Sequence, residues 1–432
     1  MGLCCARSLA QRGVDVVLVE RDTCGRGASL GNAGWITPAL SAPLPAPGVV
    51  RHALTWMARP DSPFWIRPRF DLHLGLWLWR FWRNSNRHRH LEGLRAMIAF
   101  AEPTFALYDE LQRELGFEMH EGGLTFVVRD PRHIDEYVGL LDDATRAGYP
   151  ANAQVVGPSE LTDFEPALLP TLAGAVHLAN ERHVRPEDFT ARLASHLRVR
   201  GVEVLEQANV TEFLVRSSSV RGVRTQADEI AADAVVIAAG VWSRELAGML
   251  GFALPLEGAK GYGITGARGS IVPKRALYLT EARLGVSPFD GGLRLAGTLE
   301  FAGIDLRVHA RRVDALRRAA ALYLRPEALL KGGEKWAGLR PLLPDGLPAV
   351  GQIPGWENVY LATGHGMLGI TLAPATGEAI ADTVMVGALP THLESLDPWR
   401  FARSSTHRKE EAWPRRRSSP LGLRHRLRPT RR

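Results

Sequence analysis

The chain has 432 residues, 45% of them hydrophobic and 23% charged, which allows two domains with a large core. Its formal charge of +7 is a property of one end: from Arg400 onward there are 12 Lys/Arg against 2 Asp/Glu, leaving residues 1–399 at −3, so nucleic acid is not an expected partner of the folded part. No apolar run is long enough to span a bilayer and no signal peptide stands out. Cys4, Cys5 and Cys24 offer neither a metal spacing nor a disulfide framework, so the expectation is a cytoplasmic protein without a metal.

Gly2 to Gly13 reads as an amphipathic helix ending on glycine, with Cys4 and Cys5 as packing residues. Val14 to Glu20 follows as a short β-branched strand ending in an acid. Helix, strand and acid form the second half of a dinucleotide-binding βαβ unit. Gly2 matches the last glycine of its motif, and Glu20, followed by Arg21, the acid for the ribose hydroxyls. The plainer readings are a solvated carboxylate at Glu20 and a mere terminal residue at Gly2. The strand and two glycines that open such a motif do not precede Gly2. The cofactor sheet is therefore expected to lack its first strand, and the chain as written to bind its cofactor weakly and aggregate.

Ala28 to Gly34 is a small-residue loop in which Ser29, Asn32, Ala33 and Gly34 allow backbone contact with a cofactor. The next hundred residues are rich in aromatic and basic side chains, including Trp56, Trp65, Trp77, Trp79 and Trp82. They read either as a membrane-surface helix or as one packed over the active site. Packing is favoured, because the tryptophans do not all share one helical face. A helix from Arg185 to Val199 and a strand at Val202–Leu205 come next. Ala232 to Ser243 is a buried strand ending at small residues, Ala239 and Gly240. From Gly251 to Lys335 short strands alternate with polar turns, which reads as an antiparallel sheet followed by a helix over about 311–323.

The last element pair carries the clearest signal. Asn358 to Thr363 reads as a strand, and Gly364-His-Gly-Met-Leu-Gly-Ile-Thr371 as a glycine-rich turn entering a helix that runs to Val386. Strand, turn and helix start aim N–H groups and a positive dipole end at an anionic group. Beyond Pro398 the basic sequence has no apolar period and reads as a disordered tail over 399–432.

Five blocks in order now carry a resemblance: Ser29–Pro38, Ala42–Gly48, Lys260-Gly-Tyr262, Gly338–Gly346 and the Gly364 loop. The chain resembles the FAD-dependent D-amino-acid oxidase superfamily, and within it the bacterial D-amino-acid dehydrogenase (small subunit) branch. The resemblance implies an α/β fold: a Rossmann-like FAD-binding domain (1–42, 151–250 and 336–390) interleaved with an α+β substrate domain carrying a mixed or antiparallel sheet (43–150 and 251–335). It implies that Val210 meets the adenine by its backbone. Gly364, His365, Gly366, Gly369 and Thr371 would face the flavin, with N–H donors stabilising the charge that develops there. Arg340 would hold the substrate carboxylate, since a planar guanidinium fixes direction as well as charge. Some related oxidases carry a second arginine after the histidine; Met367 stands there here, so any second clamp must come from elsewhere. Tyr262, Tyr278 and His365 are the other candidate catalytic residues, each with simple packing as the alternative.

The implied reaction is oxidation of the C–N bond of D-amino acids, or of cyclic imino acids such as D-hydroxyproline, by hydride transfer to FAD. The imine then hydrolyses to a 2-oxo acid. The implied acceptor is a quinone or respiratory chain, with peripheral contact at the inner face of the plasma membrane. Two alternatives stay open: an oxygen-using glycine/sarcosine-type amine oxidase, and a degenerate, non-catalytic flavoprotein fold.

Overall fold

The computed structural model describes residues 1–51, 53 and 62–402; Trp56 and the chain after Ala402 lie outside the described residues. The fold is mixed α/β. In chain order, the elements that build the site begin with α1 (Gly2–Gln11) and β1 (Val17–Val19), followed by α2 (Leu72–Asn84), β2 (Leu124–Val128) and α3 (Arg132–Arg146). Then come β3 (Glu203–Leu205), β4 (Val235–Ile237), β5 (Glu257–Ala267), β6 (Ala276–Leu279), β7 (Leu284–Phe289) and β8 (Gly292–Phe301). The series closes with α4 (Ala310–Ala320), β9 (Lys331–Leu342), β10 (Ala349–Gln352), β11 (Val359–Thr363) and α5 (Gly369–Val386).

Parallel pairing appears where the sequence is rich in valine and other β-formers. β1 pairs with β3 from Val17↔Glu203 to Val19↔Leu205. β4 pairs with β11 from Val235↔Val359 to Ile237↔Leu361, and β10 lies antiparallel on the other side of β11. β1 and β4 do not pair with each other, and both border the same cavity. α1 and α5 cross against these strands at backbone contact, for a Cβ on Gly377 would stand 2.6 Å from the Cys4 carbonyl oxygen. Cys4 and Cys5 are buried in that contact. Ser8 of α1 and Arg12 just past its end fasten it by binding Glu378 at 2.7 and 2.8 Å.

The larger sheet has nine strands, and its path runs β9–β5–β8–β7–β6–β2 before two more strands, Gly174–Leu178 and Ala153–Val156. It is antiparallel except for the β6–β2 pair and for Phe64–Ile66, which runs parallel to β8. One face packs on α4 through Tyr262, Ile264, Leu295, Val313 and Leu316, all buried. Alternation along a strand dictates that the residues between them, Gly261 and Gly263, face the other way.

The tryptophans of α2 divide. Trp77 is buried against Phe81 and Phe301, with its indole N–H on the Leu342 carbonyl, whereas Trp79 and Trp82 are exposed. Among the described residues no helix is long and apolar enough to cross a membrane. The start of the tail needs correction. Residues 398–401 form a 3-10 turn in which Arg400 binds Asp345 at 2.7 Å and the carbonyls of Leu347 and Pro348, so the folded part continues past the expected boundary at 399.

Candidate active site

The starts of α1 and α5 open on one cavity of about 1870 Å³, well above the size usual for a small ligand. Neither start has a side-chain cap, so the N–H groups of both first turns are left to whatever occupies the cavity. Gly2, Glu20, Arg21, Ser29, Asn32, Ala33, Val210, Ala239, Gly240, His365, Gly366 and Gly369 all line it. Glu20 stands at the end of β1 and accepts from the Asp22 N–H at 2.9 Å. Arg21 lies 3.9 Å above the Trp242 ring, at the same end. Asn32 holds its own loop, its Oδ1 accepting from Gly34 N and its carbonyl from Arg294.

Three of the expected cofactor residues lie behind the wall. Gly34 and Gly364 occupy turns with φ of +79° and +83°. Thr371 donates to the Trp35 carbonyl at 3.0 Å and accepts from Thr37 N, tying α5 to that loop.

The far end of the cavity is floored by β8, β7 and β9, with β5 beneath Arg340. Its small residues let large side chains lie flat on the sheet. A Cβ on Gly261 would meet the Arg340 guanidinium at 2.3 Å, and one on Gly338 would meet the Trp336 indole at 2.1 Å. Arg340 donates through Nη1 to the Thr298 carbonyl at 2.7 Å. That carbonyl is aimed by a bulge in β8, where the register shifts and Thr298 takes φ +68°, an unusual value for a β-branched residue. Among the described residues no carboxylate forms an ion pair with Arg340. Burial lowers its pKa to about 10, with Tyr278 opposing weakly, and it remains a cation at neutral pH. Its remaining accessible surface opens into the cavity.

Tyr278 joins this end, its ring edge-on to Trp35 at 5.8 Å and its hydroxyl 3.4 Å from Nη1 of Arg283. Tyr262 does not. It is fully buried on the opposite face of β5, with its hydroxyl on Glu300 at 3.2 Å. One step of strand alternation separates it from Gly261, which lies under the Arg340 guanidinium. His365 also turns away. Its Nε2 lies 2.9 Å from Thr376 Oγ1, whose own hydrogen goes to the Leu372 carbonyl. That oxygen must therefore accept from an Nε2–H. Burial lowers the His365 pKa to about 3, so the ring is neutral and its Nδ1 carries no proton to donate to a ligand.

Arg283, Tyr137, Trp35 and Trp336 also line the chamber and were not singled out from sequence. The two tryptophans sit against glycines, but only the folded sheet shows which glycine faces which ring. Arg283 and Tyr137 carry no motif at all.

Uncapped helix starts at one end, and a half-buried guanidinium over a glycine floor at the other, suit anionic groups at both ends of the cavity. The comparisons with known proteins agree. Residues 1–383 match the family DAO, FAD dependent oxidoreductase, and the chain belongs to that family. It is 30% identical over 422 residues to D-amino acid dehydrogenase of Xylella fastidiosa (strain M12), covering 96% of each protein. Among solved structures it is similar to glycine oxidase from Geobacillus kaustophilus, with a TM-score of 0.72, 25% identity, and 94% and 96% of the two chains covered. L-proline dehydrogenase from P. horikoshii gives a TM-score of 0.72 at 20% identity, covering 93% and 95%. The protein is thus an FAD-dependent oxidoreductase.

Proposed function

We propose that the chain oxidises the C–N bond of D-amino acids, cyclic imino acids included, to an imine that water converts to the 2-oxo acid. The observation that carries this reading is Arg340, a half-buried cation that faces the chamber and has no acid paired to it among the described residues. A buried charge is expensive without a partner, and the α-carboxylate of an amino acid supplies one. The likeness to D-amino acid dehydrogenase over nearly the whole of both chains supports the D configuration.

FAD, when bound, supplies the hydride acceptor. The chain's residues bind and orient. The start of α1, with Glu20 and Gly240 beside it, suits a pyrophosphate and ribose, and Val210 an adenine. The start of α5 suits the redox ring, where its N–H groups stabilise negative charge without reorganising. Arg340 and Tyr278 fix the carboxylate so that the α-carbon faces that ring. Solvent takes the ammonium proton, as no buried base faces the cavity from the described residues around Arg340.

Electrons pass to a membrane quinone in this reading. α2 supports it, because its outer face exposes Leu72, Leu76, Trp79 and Trp82 beside Arg80 and Arg83, a composition suited to an anionic bilayer surface. The likeness to glycine oxidase favours a second reading, direct reduction of oxygen. Turnover of a D-amino acid with a soluble quinone, without peroxide formation, is the expected result. Stoichiometric peroxide from the same mixture would establish the second reading.

A further inference from the structure

The cavity face of the large sheet carries a row of cross-strand partners with a ring at each end and small residues between. Trp336 of β9 pairs with Gly263 of β5, Gly263 with Ala296 of β8, Ala296 with Gly285 of β7, and Gly285 with Tyr278 of β6. Cross-strand partners share a face, so two glycines and an alanine lie side by side between an indole and a phenol. Gly263 is roofed, since a Cβ there would stand 3.1 Å from the Gly31 carbonyl oxygen and 3.6 Å from the Trp336 ring. Ala296 and Gly285 line the cavity. Strand residues this small leave room for another group to approach the backbone closely, and here they form a flat trough.

Trp35 stands over one end of the trough. A Cβ on Gly285 would meet its six-membered ring at 2.8 Å, so the absent side chain is what admits the indole. The ring is held in place: its N–H donates to Ser287 Oγ at 2.9 Å, and that hydroxyl donates to the Ala33 carbonyl at 2.7 Å. With its one donor used in this way, Trp35 offers a ligand ring surface. Tyr278 lies edge-on to it, at 5.8 Å and 81°, and is braced in turn by Phe126 at 5.7 Å and Tyr137 at 6.4 Å. Two nearly perpendicular rings can meet a third with a face on one side and an edge on the other, in the arrangements that aromatic pairs prefer. Arg283, on the same wall, reaches the Tyr137 and Tyr278 hydroxyls at 3.2 and 3.4 Å, and the corner uses the Tyr278 ring rather than its hydroxyl.

Arg340 sets the reach. Its guanidinium is bonded to the carbonyl of Thr298, two residues along β8 from Ala296, which is about 7 Å at the ordinary rise of a strand. We propose that the trough over Ala296 and Gly285 receives a flat aromatic ring, so that the preferred substrate is a D-amino acid with an aryl group one methylene from its α-carbon. The proposal rests on the reading of Arg340 as the carboxylate anchor. A saturated ring of the same size is puckered and has no π-face, so it would fill the corner without the paired ring contacts.

Ligand binding separates this from turnover. The FAD-loaded protein is titrated with 3-phenylpropanoate, 3-cyclohexylpropanoate and propanoate, following the perturbation of the oxidised flavin spectrum. The phenyl acid should bind at least about threefold more tightly than the cyclohexyl acid, the scale of one aromatic pair, although the cyclohexyl group is at least as apolar. Trp35→Leu should erase that preference. Ala296→Val raises the floor with a residue that suits a strand. It should weaken both ring acids at least about tenfold relative to propanoate, the scale of overpacking, and it decides alone if Trp35→Leu does not fold. Arg340→Met should weaken all three acids. Equal or tighter binding of the cyclohexyl acid by the unaltered protein, a phenyl preference that survives Trp35→Leu, or ring acids that keep their advantage over propanoate in Ala296→Val would overturn the proposal. Normal binding of all three acids to Arg340→Met would overturn the reading of Arg340 instead.

Discussion

Arg340 depends on two neighbours on the sheet. The absent side chain at Gly261 gives its guanidinium room, and the bulged Thr298 presents a carbonyl to one nitrogen. Gly261→Ala should therefore displace the guanidinium without unfolding the sheet, because the clash is with the end of a flexible side chain. An increase in the Michaelis constant of about tenfold is expected, roughly 1.4 kcal/mol, with FAD content unchanged. Thr298→Gly should relieve backbone strain of about 1–3 kcal/mol, raising the melting temperature while loosening substrate binding. His365 makes a separate contribution through pH. Its pKa falls from an ordinary 6.5 to about 3 in the fold, so the native state resists a proton that the unfolded chain accepts. Its stabilisation is complete above pH 6.5 and is lost as pH falls towards 3, at up to about 1.4 kcal/mol per pH unit. Denaturant titrations across this range should show a shallower acid loss in His365→Gln; an unchanged slope would remove the histidine from the account.

At the scale of elements, sequence reading located most of what lines the cavity. Helices at α1 and α5, the strands β4 and β11, and the helix at Pro186–Val199 were all legible, because periodicity, β-branching and glycine placement coincide there. What was not legible depended on parity and pairing. Tyr262 and Gly261 are adjacent in sequence, and only the pairing of β5 with β9 shows which of them lies under Arg340. The bulge at Thr298 arises from the register between β5 and β8, which neither strand specifies alone. The contact of α1 with α5 was likewise invisible, although Gly377 allows it. Gly377→Val should force the helices apart at the Cys4 carbonyl and cost about 1–3 kcal/mol, seen as a lower melting temperature with weaker FAD retention.

For the whole molecule, the charge distribution and the end of the fold are linked at Arg400. The sequence placed the boundary at Pro398 by composition, but Arg400 ties the 3-10 turn to Asp345 and the Leu347 and Pro348 carbonyls, close in sequence to the Arg340 strand. A chain ending after Ala402 should keep its flavin content and turnover. One ending after Pro398 should lose stability, because the buried carbonyls and Asp345 lose their donor; equal melting temperatures of the two would contradict this.

The central claim is that Arg340 receives the carboxylate of a D-amino acid beside the flavin. Its most direct test is anaerobic reduction of the FAD-loaded protein by D- and L-amino acids, followed by flavin absorbance, for the unaltered protein and for Arg340→Met. The account predicts bleaching by the D enantiomer alone, with a half-saturating concentration raised at least about a hundredfold in the variant, the range expected when a buried charge loses its partner, about 3–5 kcal/mol. Equal bleaching of both proteins at the same concentrations of D-amino acid would contradict it.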